Sequence, residues 1–299
     1  MRNGHDLSLV KMTRKISLET YLYILPALFF LLVFLFYPTF YTLYLSFFDQ
    51  DSSTFIGLSN YLYLFTHREI FLVFRNNLFW LFLFTATVVG IGVFLAVLSD
   101  RLPYEPVIKT ILFIPMAISF TAAAVIWRFV YFYRPEGFPQ IGLLNTLLVA
   151  VGKSPIAWLV DLQVNNFALI AAAVWMWTGF GMVVISAGLK GIPNQVLEAA
   201  RVDGAREWQI FWHILFPLLR PVLIVTVLTL MINALKVFDL VYVMTFGNHD
   251  TDVIANRMFK EMFTFGHFGR ASAIAVILLL LIVPVMIMNI RRFRREEVL

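Results

Sequence analysis

The sequence has no cysteine, few charged residues and few histidines, and each scarcity excludes a class of protein. Without cysteine the chain has no disulfide and no thiolate ligand for a metal. Its five histidines lie far apart and none belongs to an HExxH motif, which argues against a zinc hydrolase. They are His5, His67, His213, His249 and His267. Charged residues make up 14% of the 299 residues, well below the share of about 25% in soluble domains.

Apolar residues are in excess, at 61% of the chain. One core cannot hide so much apolar surface, so we expect lipid to contact a large part of it. Six stretches reach the length of about 20 residues that crosses a bilayer as a helix. They are residues 21–47, 77–98, 107–131, 167–189, 218–245 and 271–290. The predicted fold class is all-α, a polytopic membrane protein with six transmembrane helices, because the stretches lack the alternation of a β-barrel.

Lysine and arginine are distributed unevenly over the connections between these spans. Fourteen lie on the side that carries both chain ends, seven lie on the opposite side and two lie within spans. The positive-inside rule therefore predicts that both ends are cytoplasmic. The predicted organisation is a cytoplasmic segment 1–20, a membrane domain 21–291 and a basic cytoplasmic tail 292–299, with outer loops at 48–76, 132–166 and 246–270 and a cytoplasmic connection at 190–217. A short interfacial helix is expected at 141–151.

The segment EAARVDGAREWQIFWHILFPLLRP, residues 198–221, is polar although it lies between two apolar spans. We predict two short helices with a bend. The first begins at Pro193, which suits a first helical position, and ends at Gly204, which can take a positive φ. The second begins near Ala205, and Pro217 and Pro221 are expected to end it and to open the next span.

Two interpretations of this segment differ in what it contacts. It could be an amphipathic helix in the lipid headgroups, as in many membrane proteins. The small residues Ala199–Ala200 and Gly204–Ala205 stand beside Glu198 and Asp203, however. Small side chains let another protein's backbone approach closely, whereas acidic groups are repelled by anionic lipid. The pattern therefore favours a docking surface for a cytoplasmic partner.

The segment resembles the EAA loop of binding-protein-dependent ABC importer permeases. The matching residues are Glu198, Ala199, Ala200, Asp203, Gly204, Ala205, Phe211, Ile214, Pro217, Leu218, Leu219 and Pro221, with Phe216 where leucine is common. The resemblance extends over nearly the whole chain and is nearest to the carbohydrate-uptake branch. The stretches WMWTGFGMVVISAGLKGIP and ANRMFKEMFTFGHFGRASAIAV look like those of α-glucoside and glucosylglycerol-type permeases. FGNHD, residues 246–250, replaces a Gly-Gly-x-Pro turn found in many relatives.

This resemblance implies a multi-pass subunit of the bacterial inner (plasma) membrane and a set of partners. These are a second permease subunit, two copies of an ABC ATPase subunit, an extracytoplasmic solute-binding protein and a sugar or glucoside substrate, with lipid around the spans and no nucleic acid. The nine matching residues from Glu198 to Pro217 would couple to the ATPase. ATP and magnesium would be bound by that ATPase. The chain has no P-loop, because Leu147 stands where the first glycine would precede Gly152-Lys153-Ser154. We expect no catalytic residue, metal site or cofactor here.

Polar and aromatic residues inside spans are the candidates for solute contact. In the fifth span these are Asn233, Lys236 and Asp239; Lys236 and Asp239 could instead form a structural ion pair, and Asn233 could join helices. Aromatic rings suit the apolar faces of sugars. The remaining candidates are Trp175, Trp177 and Gly179 in the fourth span and Ser119 and Thr121 in the third. The resemblance adds Val237 and Phe238 and matches Met182 and Ala234. Ala234 and Val237 stand where maltose permeases would have polar residues, which suggests a different or shifted site.

Two other functions are weighed against an importer subunit. A secondary carrier driven by an ion gradient usually has internal repeats and more spans, and neither is found. An intramembrane enzyme would need a nucleophile and base, paired aspartates or a metal-ligand set, and no such constellation is present.

Overall fold

The computed structural model describes residues 18–100 and 102–296, and the side chains of 22–100 and 102–291. Within these ranges the chain forms twelve helices and only one isolated β-bridge, between Phe48 and Phe55. The helices are α1 (18–45), α2 (Ser59–Thr66), α3 (Arg68–Ser99), α4 (Glu105–Ala117), α5 (Phe120–Val130), α6 (Leu143–Ala150), α7 (Asn165–Lys190), α8 (Asn194–Val202), α9 (Glu207–Leu235), α10 (Asp239–Met244), α11 (254–264) and α12 (Phe268–Glu296). The all-α prediction is confirmed.

Five of the described helices are long and apolar enough to cross a membrane: α1, α3, α7, α9 and α12. α4 and α5 make a sixth span only if the pair counts as one, because they are bent by 98°. The predicted third span is therefore not one straight helix. Ile118 and Ser119 take extended backbone angles, and the Ser119 Oγ accepts a hydrogen bond from the Ala122 N–H at the start of α5.

The predicted fifth span, 218–245, also differs from the structure at both ends. At its start the helix does not restart at Pro217, because α9 runs unbroken from Glu207 and widens into a π-helical turn at Phe211–Leu215. A wider turn makes room for the ring of Pro217 and its missing N–H. At its other end α9 stops at Leu235, and a new short helix, α10, begins at Asp239.

The core of the described chain is built around α7, which has sixteen buried residues. Glycines let neighbouring helices approach it closely. A Cβ on Gly179 would overlap the Leu112 carbonyl oxygen of α4, and a Cβ on Gly188 would lie 2.8 Å from a Val222 methyl group of α9. α4 and α9 thus approach α7 closely along the half of α7 that ends at Lys190.

α1 contrasts with α7, because none of its described side chains is buried within this chain. It is held at its end, where the chain after it meets the start of α12. The Asn60 Nδ2 donates to the carbonyl oxygens of Ser46 and Phe48 at 2.9 and 2.7 Å. A Cβ on Gly269 would overlap the Phe48 carbonyl oxygen, so only glycine fits there.

The outer loops that the sequence predicts contain helices of their own. α2 and the first turns of α3 lie in 48–76, α6 lies in 132–166 and α11 lies in 246–270. The short helix expected at 141–151 is α6. Most of the predicted terminal segments 1–20 and 292–299 lie outside the described residues, so the proposed division into segments stays a prediction.

Candidate functional site

The helix is interrupted after α9, in the middle of a stretch that is apolar in sequence. We call this interruption the break. Residues 236–238 are not helical, and Lys236 caps the end of α9. The Asn77 Nδ2 of α3 lies 3.5 and 3.3 Å from the carbonyl oxygens of Ala234 and Leu235, and its Oδ1 accepts the Ile254 N–H at 2.7 Å. Because α3 supplies these partners, the carbonyl groups freed by the break are not left without a hydrogen bond.

A cavity of about 180 Å³ lies against this break, and we call it the central cavity. Its wall is formed by Trp80, Phe84, Phe120, Ala173, Trp177, Asn233, Ala234, Lys236, Val237, Phe238, Asp239 and Leu240. Trp177 stacks on Phe120 with ring centroids 6.2 Å apart and meets Phe84 edge to face at 6.3 Å. Three helices that are distant in sequence thus supply the aromatic rings of the wall, and Asn233, Lys236 and Asp239 supply its polar groups.

Lys236 and Asp239 do not form the ion pair that helical spacing suggested. Among the described residues no ion pair joins them, because the break between them removes the helical geometry. Lys236 is exposed and Asp239 is half-buried. Asn233 donates only to the Thr229 carbonyl of its own helix, at 2.9 Å, so no bond of its side chain to another helix is present in the described chain. All three side chains face the central cavity.

Six of the predicted solute contacts meet in this cavity, and the other four do not. The six that line it are Trp177, Asn233, Lys236, Val237, Phe238 and Asp239, together with the matched residue Ala234. Ser119 caps the bend next to Phe120, and Thr121, the residue after Phe120, is exposed. Trp175 faces a separate apolar groove and meets Trp127 edge to face at 5.8 Å. Gly179 lies at the contact with α4, and Met182 is fully buried among apolar side chains.

Trp80, Phe84, Phe120, Ala173 and Leu240 line the cavity although sequence reasoning did not select them. Trp80 and Phe84 form an aromatic pair one helical turn apart, with ring centroids 6.2 Å apart. Such a pair is as typical of a core as of a ligand site. Only Phe120, beside the capping Ser119, carried a local signal.

The predicted docking segment is an exposed helical hairpin. α8 has no buried residue, and Val202 at its end is 87% exposed. Gly204 takes a φ of +83°, as expected from its position, and Ala205 N–H and Gly204 N–H donate to the carbonyl oxygens of Ala200 and Arg201, both at 3.0 Å. These two bonds are those of a Schellman motif, which ends the helix and turns the chain.

The second half of the hairpin begins at Glu207, two residues later than predicted. The Arg206 N–H donates to the Gln209 Oε1 at 2.8 Å, and the Arg201 Nε lies 2.8 Å from the Glu207 Oε1 across the bend. Pro193 is the N-cap of α8 and not its first helical residue. Trp208 and Trp212, on the same face, are 58% and 57% exposed. The hairpin is stiffened by these bonds and presents apolar surface that no described residue covers.

Residues 246–252, between α10 and α11, form a tightly held turn. Phe246, His249 and Asp250 have positive φ angles of 56°. The Asn76 Nδ2 donates to the carbonyl oxygen of Asp250 at 2.6 Å, and the Asn165 Nδ2 donates to that of His249 at 2.6 Å. These bonds stabilise a backbone that is strained for residues other than glycine.

Asp252 anchors the end of this turn from a buried position. Burial raises the pKa of its carboxyl group above the ordinary value, while the Lys260 Nζ, 3.3 Å from the Oδ2, acts in the opposite direction. The turn is therefore fixed by the fold and presents exposed Asn248, His249 and Asp250.

Long apolar helices, a cavity of aromatic and polar residues at an interrupted span and a hairpin that the described residues leave exposed are typical of a membrane transport subunit. Residues 88–293 match the family described as binding-protein-dependent transport system inner membrane component. The chain belongs to this family, the membrane-spanning permease subunits of ABC importers.

Two relatives match over almost the full chain. The osmoprotective compounds uptake permease protein GgtC of Synechocystis is 56% identical over 92% of this chain and 99% of its own length. The α-glucoside transport system permease protein AglF of Rhizobium meliloti is 44% identical over 94% of this chain and 84% of its own length.

A subunit of a bacterial ABC transporter for the acidic polysaccharide alginate has the same fold. Its crystal structure superposes with a TM-score of 0.78 over 91% of this chain and 94% of the other, at 22% identity. The same transporter has been solved in complex with a periplasmic protein bound to an alginate pentasaccharide. At this identity the likeness establishes the fold and not the solute.

Proposed function

We propose that this permease subunit forms half of the pathway by which a glucoside or other small sugar enters the cell. The solute would be delivered by an extracytoplasmic binding protein and would pass between this chain and a second permease subunit. Energy would come from two ATPase subunits that bind ATP and magnesium and contact residues 190–217. Both chain ends and the hairpin would then be cytoplasmic, in the inner membrane of a bacterium.

The observation that carries the proposal is the composition of the central cavity. Trp177 and Phe120 offer flat apolar faces, while Asn233, Lys236 and Asp239 offer hydrogen-bonding groups without ion-pair partners among the described residues. A sugar ring has apolar C–H faces and a rim of hydroxyl groups, so it fits such a wall. The names of GgtC and AglF, which refer to osmoprotective compounds and α-glucosides, support the same class of solute.

The cavity volume of about 180 Å³ fits one sugar ring better than an oligosaccharide. A longer solute would extend toward the second permease subunit, which would complete the site. This size favours a monosaccharide ring joined to a small group, such as a glucosyl polyol, over a polymer.

The test is ATP hydrolysis by the reconstituted complex in lipid vesicles. This chain is expressed with its genomic neighbours, and each candidate sugar is added together with the candidate binding protein. We expect ATP hydrolysis to rise with one glucoside or a few related ones, and to stay at its basal rate with binding protein alone. A complex that assembles with an ATPase but responds only to solutes that are not sugars would overturn the sugar assignment. Uptake that persists without any ATPase would overturn the coupling.

A further inference from the structure

A buried carboxylate joins two helices on the side of the molecule that carries the hairpin. Glu105, in the first turn of α4, is 5% exposed. Its Oε2 lies 2.8 Å from the Lys190 Nζ in the last turn of α7, and the Ser186 Oγ donates to its Oε1 at 3.1 Å. Lys109, one turn along α4, forms a further ion pair with the Oε1. We call these four residues the Glu105 cluster.

The two lysines of the cluster differ in what they connect. Lys109 belongs to the same helix as Glu105, so it neutralises the carboxylate without joining anything. Lys190 belongs to α7 and stands four residues before α8, the exposed helix of the hairpin. Lys109 alone would be enough to neutralise the Glu105 carboxylate. Lys190 adds an ion pair that joins α7 to α4 at a fixed distance.

Both helices lead from the cluster to the proposed sites. α4 has 13 residues and is therefore about 20 Å long, and it ends at the bend before Phe120 in the cavity wall. α7 carries Trp177 of the same wall and, at its other end, continues through Gly191 and Ile192 into α8. Two helices that meet at Glu105 therefore connect the hairpin with the cavity wall.

Apolar packing alone would leave this junction free to slide. α4 contacts α7 through Ile108 and Leu112, which pack against Met182, Ile185 and Leu189. Apolar surfaces fix the spacing of two helices better than their relative position along the axis, because the contacts have no direction. The Lys190–Glu105 ion pair at the end of both helices, together with the Ser186 hydrogen bond, fixes that position.

We propose that Glu105 and Lys190 are positioning residues that transmit movement of the hairpin to α4 and so to the cavity wall. This inference rests on the proposed coupling through residues 190–217. The Lys190 side chain is 55% exposed, so its removal is not expected to unfold the chain. It is expected to let ATP be hydrolysed with a weaker response to the solute.

The experiment compares Lys190→Met with its matched control Lys109→Met in the full reconstituted complex. The readout is the ratio of ATP hydrolysis with solute-loaded binding protein to basal hydrolysis, measured beside solute uptake per ATP. We expect Lys190→Met to lower the ratio at least about fivefold, the lower range of coupling between sites, and Lys109→Met to keep it close to the wild-type value. Equal effects of the two variants would overturn the proposal.

A charge exchange provides the second measurement. Glu105→Lys alone is expected to lose the response, and its combination with Lys190→Glu is expected to regain a large part of it. A role in folding alone would not be restored in this way. If the exchange restores no response and Lys190→Met and Lys109→Met lower the ratio equally, the lysines only neutralise Glu105 and the proposal is overturned. The wild-type complex distinguishes failure of the proposed function from failure of this proposal. A wild type with no solute-stimulated ATP hydrolysis contradicts the proposed function, whereas a stimulated wild type with unaffected variants contradicts only the role of Glu105 and Lys190.

Discussion

Single glycines decide how closely the helices of this subunit approach. Gly179 has the clearest role, because any side chain there would overlap the backbone of α4 at Leu112. The resemblance to sugar permeases marks the same residue as a solute contact, and the two roles lead to different measurements. A packing residue affects the stability of the protein, and a contact residue affects the affinity for the solute.

Replacement of Gly179 by alanine should destabilise the chain by about 1–3 kcal/mol, since an added methyl group must push two backbones apart. Thermal unfolding of the detergent-purified complex would show this as a lower Tm. Gly90→Ala is the matched control, because Gly90 is also helical but has no atom within 4 Å of the added methyl position. If Gly179→Ala kept the wild-type Tm and only weakened uptake affinity, solute contact would be the better account.

Lys236 and Asp239 lack the ion pair that helical spacing predicts for them. Each faces the cavity without the other as a partner, so each is available to a solute hydroxyl. The double variant Lys236→Met, Asp239→Asn should raise the solute concentration for half-maximal uptake roughly tenfold or more, because hydrogen bonds to charged groups are worth about 1.5–3 kcal/mol. Assembly with the ATPase should be unaffected. Unchanged uptake would remove both residues from the site.

At the scale of helices, the hairpin and the interrupted span differ in how far the sequence predicted them. The hairpin follows from local signals: Gly204 for the positive φ and small residues on the exposed face. The break after Leu235 depends on Asn77, 158 residues earlier in the chain, which bonds to the carbonyl groups of Ala234 and Leu235. No local pattern in 218–245 contains that information, so the span was predicted as one helix.

Gly204→Asp should abolish co-purification of the ATPase while the permease still inserts, because the added side chain stands on the docking face. The matched control is Gly152→Asp, which places the same residue at another exposed glycine of positive φ, +76°. Both changes carry the same backbone cost of about 1 kcal/mol, so stability alone does not separate them. Loss of the ATPase in both variants, or in neither, would argue against docking at the hairpin.

For the whole molecule, composition was sufficient to predict a helical membrane protein. It could not show that α4 and α5 meet at 98°, because the apolar stretch 107–131 is long enough for one straight helix. The central cavity is also a property of the whole chain. Its wall combines α3, α5, α7 and the break after α9, so sequence selected its polar residues and missed Trp80 and Phe84.

The orientation proposed from lysine and arginine can be measured directly because the natural chain has no cysteine. Val202 and Val151 are 87% and 71% exposed and are expected on opposite sides of the membrane. In cells that express the chain without its ATPase, Val202→Cys should react with a membrane-impermeant maleimide only after the membrane is opened, and Val151→Cys should react in intact cells. The reverse pattern would invert the topology.

The contact between the end of α1 and Gly269 has a consequence for how the protein is made. α1 is the first described span to be synthesised, and Asn60 follows it closely, yet Gly269, the other residue that contacts its end, lies at the start of the last described span. Ribosomes add about 5–20 residues per second, so the more than 200 residues between them represent a delay of roughly 10–50 seconds. The described residues leave the aromatic surface of α1 exposed even when synthesis is complete. Lipid, the insertion machinery or a partner subunit must therefore shield this helix, and the anchor at its end forms only when synthesis is almost complete.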